Sequence, residues 1–144
     1  MKTKLTGLLI IMSIAIVSCN TDFQGGNNEL LTSTNWTAVQ KPLINGEMPK
    51  FSENSTFHKD GKYTFEAGEM KVTGEWKWTK KDEIYLELKS ISISIDNIQE
   101  SFDGKQNYYI RILEVSENNL KTLKRFETDS WDSGFAKEEN YKRI

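Results

Sequence analysis

The sequence predicts an all-β fold, an antiparallel up-and-down barrel of about eight strands. Three observations predict it. From Asn35 onward apolar residues recur at every second position, and no stretch between Trp36 and Phe126 carries a helical face. Turn-forming residues break those runs at hairpin spacing, which suits a meander, and closing a meander removes its exposed edges. The chain also holds 4 Trp, 5 Tyr and 7 Phe, all beyond residue 22. Each can bury about 150–250 Å², so the core does not lack material.

Residues 36–39 (WTAV) read as the first strand. Residues 56–65 (TFHKDGKYTF) set Asp60-Gly61 between two apolar arms, a strong hairpin signal. Ala67-Gly68-Glu69 turns the second arm into residues 70–79 (MKVTGEWKWT), the clearest strand in the chain. There Met70, Val72, Gly74, Trp76 and Trp78 share one face, and Lys71, Thr73, Glu75, Lys77 and Thr79 share the other. After a turn at Lys81-Asp82-Glu83, residues 84–88 alternate likewise. Ile91, Ile93 and Ile95 then occupy odd positions where Leu86 and Leu88 occupied even ones. A one-residue slip turns such a set outward, so a bulge or bend is expected near Ser90. Residues 108–115 and 120–126 flank Ser116-Glu117-Asn118-Asn119, a turn whose asparagines tolerate positive φ. Residues 140–144 form the last strand. Regular structure is weakest over 96–107 and 129–139, with a short helical turn expected at 135–139.

The order of short patterns resembles the lipocalin-like domains of bacterial lipoproteins. The patterns are Leu31-Thr-Ser-Thr-Asn-Trp36, residues 57–65, Gly74-Glu-Trp-Lys-Trp78, residues 112–120 and Tyr141-Lys-Arg-Ile144. Thr34-Asn35-Trp36 departs from the family's Gly-x-Trp at the first of them. The resemblance implies an up-and-down barrel closed at one end by Trp36, and it implies no particular ligand.

The N-terminus carries a second signal. Two lysines within residues 1–4 precede an uncharged, mainly apolar run over 5–17, and Ser18 stands before the only cysteine, Cys19. A basic start, an apolar run of about 7–15 residues and a small residue at the cut make a secretory signal peptide. Thirteen residues fall short of the roughly 20 that a spanning helix needs. Ile16-Val17-Ser18-Cys19 resembles the lipobox of bacterial lipoproteins, which implies a Cys19 acylated with palmitate-type chains and a signal peptide over 1–18. Residues 19–33 then read as the lipidated cysteine and a polar, Asn- and Gly-rich tether, and 34–144 as the barrel domain. The implied location is the cell envelope, lipid-anchored at the outer membrane on its periplasmic or surface side.

Composition narrows the partners. Cleavage before Cys19 removes Lys2 and Lys4 but none of the 21 acidic residues, moving the net charge from −2 to −4. Charges of both signs are interleaved and no basic patch forms, which excludes nucleic acid as a partner. Attachment to the membrane therefore falls to the acyl chains. No constellation for catalysis is legible. His58 is the sole histidine and lies at a hairpin tip, and zinc would need three carboxylates in place of the usual histidines and cysteines. Asp96, Glu100 and Asp103 lack calcium-loop spacing. The expected reading is a non-enzymatic, cofactor-free barrel that binds a small apolar ligand. Its candidate ligand-binding residues are Trp36, Tyr63, Phe65, Met70, Val72, Trp76, Trp78 and Tyr109. The same rings could instead fill the core. The alternative role is a protein-interaction module of the envelope (inhibitor, immunity or accessory protein), with 96–107 and 129–139, including Trp131 and Phe135, as contact loops. An exposed Trp131 would favour that alternative. Cys19→Ala should abolish lipidation and leave a precursor or a soluble form; a mutant still lipidated and membrane-bound after a carbonate wash would refute the assignment.

Overall fold

Period-two patterning has the expected result. The computed structural model describes residues 28–95 and 98–144; Cys19, the expected signal peptide and the first part of the expected tether lie outside them. A short helix, α1 (Asn28–Thr32), precedes β1 (Asn35–Ala38), β2 (Glu53–Phe57), β3 (Lys62–Ala67), β4 (Met70–Lys80) and β5 (Glu83–Ile95). Then follow β6 (Ile98–Asp103), β7 (Asn107–Val115), β8 (Asn119–Phe126) and β9 (Lys137–Arg143). All pairings are antiparallel, and β1 pairs with both β2 and β9. The ring β1-β2-β3-β4-β5-β7-β8-β9 is therefore a closed 8-stranded barrel, with β6 as one extra strand on β5.

On β4 the inward face is the expected one. Val72, Gly74 and Trp76 are buried, Met70 and Trp78 half-buried, and Lys71, Glu75 and Lys77 exposed. The outer face of β4 is thus charged over Lys71, Glu75 and Lys77, unlike the apolar outer band of a transmembrane strand.

The expected irregularity near Ser90 is a bulge at Lys89. Thr73 pairs with Ser90, but Gly74 pairs with Leu88, so Lys89 has no opposite number. The extra residue transfers the inward face of β5 from Leu86 and Leu88 to Ile91. It also changes the neighbour of β5: residues 83–87 pair with β7, and residues 90–95 pair with β6. β6 and β7 run in line along one edge of β5, and the β5–β6 hairpin extends past the barrel. β6 lies inside a stretch expected to lack regular structure. All six of its residues are exposed, so no burial alternation marks it; the free edge of β5 makes it a strand.

Two further expectations are corrected. Residues 28–33, assigned to the tether, begin the folded domain: Leu31 is fully buried, and the Trp36 indole N–H donates to the Leu31 carbonyl at 2.9 Å. No helical turn occupies 135–139. β9 starts at Lys137 because Lys137, Glu138 and Glu139 find ladder partners in Lys124, Leu123 and Thr122.

The antiparallel registers give the barrel two unlike ends. α1, the turns after β2, β4 and β7, and Ile144 gather at one. Residues 39–52, the β3–β4 turn, the β5–β6 hairpin and residues 127–136 gather at the other. At the first end the β2–β3 turn needs Gly61 at φ 83°, and the Gly61 carbonyl accepts the Trp76 backbone N–H at 2.7 Å.

Gly74 is required by the bulge. A Cβ at that position would lie 2.5 Å from the Glu87 carbonyl oxygen, which is backbone and cannot rotate away. Gly74→Ala should cost at least about 1–3 kcal/mol, the range for overpacking; an unchanged denaturation midpoint would show that β4 and β5 can separate at no cost.

Candidate functional site

Bulky inward side chains are concentrated at the α1 end. Trp36 is fully buried beneath α1, and the Trp78 indole N–H donates to the Asn28 Oδ1 at 3.0 Å. Trp76 donates to the His58 carbonyl at 3.0 Å. The rings continue edge to face from Trp78 to Trp76 (5.9 Å between centroids) and from Trp76 to Phe57 (5.6 Å). Ile84, Ile112 and Leu120 complete this cluster. This end is a plug.

Beyond it the inward residues are smaller, and a cavity of about 240 Å³ remains, opening toward the other end. Its walls differ. Phe65, Met70, Val72, Leu86, Leu88 and Ile91, from β3, β4 and β5, make an apolar side. Thr122, Lys124, Glu139 and Tyr141, from β8 and β9, make a polar one, with Tyr108 and Gln106 near the mouth.

Four of the eight expected ligand-binding residues, Tyr63, Phe65, Met70 and Val72, line this cavity. Four do not. Trp36, Trp76 and Trp78 belong to the plug, because alternation along a strand fixes a side chain's face but not its depth in the barrel. Tyr109 is on the outer wall, its ring 5.2 Å from that of Tyr85. Tyr108, one residue earlier, points inward in its place. Neighbouring aromatics on one strand must take opposite faces.

Trp131 is not a free contact residue. It is half-buried, with the Arg111 and Arg125 guanidiniums 4.3 and 4.7 Å from its ring. Arg125 also donates to the carbonyls of Phe126 at 3.1 Å and Asp129 at 2.5 Å. Residues 127–136 are thereby clasped to the outer wall, while Phe135 stays exposed.

The polar wall was missed by sequence reasoning, although alternation carries the signal. Leu120, Thr122 and Lys124 share one parity, as do Glu139 and Tyr141. Glu139 accepts from Lys124 at 2.8 Å on Oε1 and from the Tyr141 hydroxyl at 2.5 Å on Oε2, with Lys137 3.7 Å away. Burial pushes its carboxyl up, but Lys124, Tyr141 and Lys137 outweigh that and hold it below the ordinary range. Burial, then Glu139, pushes the Tyr141 hydroxyl strongly upward. Burial takes Tyr63 up to about 12, although its bond with Ser55 Oγ at 3.0 Å pulls the other way. Thr122 is 2% exposed, and its Oγ1 has no hydrogen-bond partner among the described residues. Such a group costs about 1–3 kcal/mol.

No family model, curated protein or solved structure matches the chain. The site must be read from its own chemistry. Among the described residues no three of His, Cys, Asp and Glu are grouped to hold a metal ion. His58 is exposed at its turn, bonded through Nε2 to Thr64 Oγ1 at 3.1 Å.

The buried tyrosines set an alkaline limit. A folded-state pKa raised above the ordinary value of about 10 means the neutral phenol is favoured in the fold. That stability is complete below pH 10 and is lost as pH rises toward about 12. The unfolding free energy from urea titrations should therefore fall across that interval, by on the order of 2 kcal/mol for Tyr63. Tyr63→Phe should flatten part of the decline; an identical decline would place the effect elsewhere.

Proposed function

We propose that this chain is a membrane-anchored lipoprotein of the cell envelope whose lipocalin-like barrel holds a small, mainly apolar molecule without transforming it. The observation that carries the reading is the asymmetry of the interior. One end is filled by Trp36, Trp76 and Trp78 under α1, and the other keeps a cavity of about 240 Å³ with an apolar wall. Eight strands enclose an interior that side chains can just fill or that one small ligand can share. Here both arrangements occur at different depths.

The volume limits the ligand. It is below the roughly 300–1,000 Å³ of pockets for drug-sized molecules and above the roughly 150 Å³ cavity that accommodates benzene. A single ring with a short substituent fits; a long acyl chain would have to trail through the mouth. Asn28 lies at the plugged end, so a membrane anchor at Cys19 would join the described domain opposite the mouth.

The alternative, a protein-interaction module, draws support from the rim of the open end. Leu43, Ile44, Met48 and Phe51 in the 39–52 segment are exposed, as are Ile98, Phe102 and Phe135. Trp131, clasped by two arginines, no longer favours it.

Thermal melting of the processed chain, residues 19–144 with Cys19→Ser to prevent acylation, separates the two readings. Fatty acids, quinones and single-ring aromatics form the panel. A ligand at 100 times its dissociation constant should add about 2.7 kcal/mol, with single rings outperforming long chains. A melting temperature unmoved by every member would transfer the weight to the interaction reading.

A further inference from the structure

Among the described residues, Thr122 Oγ1 is the one buried side-chain polar atom of the cavity lining that has no hydrogen-bond partner. Its register partners are Ile112 on β7 and Glu139 on β9. Ile112 offers no polar side chain, and both Glu139 oxygens are already engaged, Oε1 by Lys124 and Oε2 by Tyr141. Buried hydroxyls are normally paired with protein or with ordered water. Thr122 lines the cavity of about 240 Å³ and its Oγ1 is buried without a partner, so a group entering the cavity would supply what the fold leaves out.

We propose that the molecule held in the barrel carries one neutral hydroxyl or carbonyl that hydrogen-bonds Thr122 Oγ1, its ring lying against Phe65, Val72 and Leu86. The inference rests on the ligand-binding reading and specifies its chemistry. Neutrality follows from the charges present. Lys124 and Glu139 are the cavity's only charged lining residues, and they pair at 2.8 Å. A buried carboxylate would find no free cation and would lie near Glu139, whereas burying a charge requires a partner. An alcohol, phenol or ketone avoids that cost. Threonine offers both a donor and an acceptor, so either a hydroxyl or a carbonyl can be met.

The experiment is a double-mutant cycle by calorimetry on the processed chain with Cys19→Ser. Its probes are benzyl alcohol, ethylbenzene and benzoate, and its variants are wild type, Thr122→Val and Thr122→Ser. Thr122→Val keeps the shape and removes the hydroxyl. It should weaken benzyl alcohol about three- to tenfold, the factor that one net hydrogen bond gives. Ethylbenzene should bind no worse to it, and Thr122→Ser should restore the alcohol. Benzoate should bind most weakly to wild type. If benzyl alcohol and ethylbenzene both bind and Thr122→Val changes neither, an internal water serves Thr122; the proposal is then overturned while the cavity reading stands. Benzoate binding as tightly as the alcohol overturns the neutral head group. Wild type binding none of the three overturns the proposal and the ligand-binding reading together.

Discussion

Barrel closure fixes how much space eight strands enclose, and the rest of this molecule follows from how that space is filled. Inward positions near α1 carry Trp36, Trp76, Trp78 and Phe57. Corresponding positions toward the other end carry Val72, Met70, Leu88 and Thr122. Since strand spacing is nearly constant along a sheet, a smaller side chain is not compensated by a closer wall. Volume absent at the second end stays as a void. The same tryptophans that fill the α1 end give the protein the core that lets the other end stay open.

α1 makes the plug effective. A five-residue helix has little stability of its own, and this one depends on the barrel. Leu31 enters the end, its carbonyl accepts the Trp36 indole N–H, and Asn28 accepts that of Trp78. Each bond also satisfies an indole donor that burial would otherwise leave unpaired. Cap and plug therefore stabilise each other.

Sequence patterning disclosed this architecture unevenly. Alternation gave the face of every residue on β4, and the parity change between Leu88 and Ile91 announced the bulge at Lys89. A second parity change passed unnoticed: Ile112 and Val115 both turn inward because Leu113 is an extra residue opposite the Thr122–Lys121 step. Strand β6 was illegible because none of its side chains is buried; its existence is a property of its neighbour's edge. Depth was also illegible. Parity says in or out, but whether an inward ring forms a floor or a wall depends on strand stagger around the barrel, which sequence does not state. That is why Trp76 and Tyr63 could be grouped in advance and yet serve different parts of the interior.

The polar wall follows from the same geometry. A meander of alternating strands would by pattern alone produce an interior apolar throughout, yet β8 and β9 bring Thr122, Lys124, Glu139 and Tyr141 inside. Glu139 is more deeply covered than Lys124, whose side chain is 30% exposed, and it is matched by Lys124, Tyr141 and Lys137 around its carboxylate. Replacing such a pair with apolar side chains is often neutral or stabilising. Core stability alone therefore gives no reason for its presence here, and its position beside the void gives one. The group fixes a polar side to a cavity otherwise lined by hydrocarbon, and it does so with its charges already neutralised. The void thus has one wall that any apolar surface could satisfy and one whose polar groups are paired except at Thr122 Oγ1.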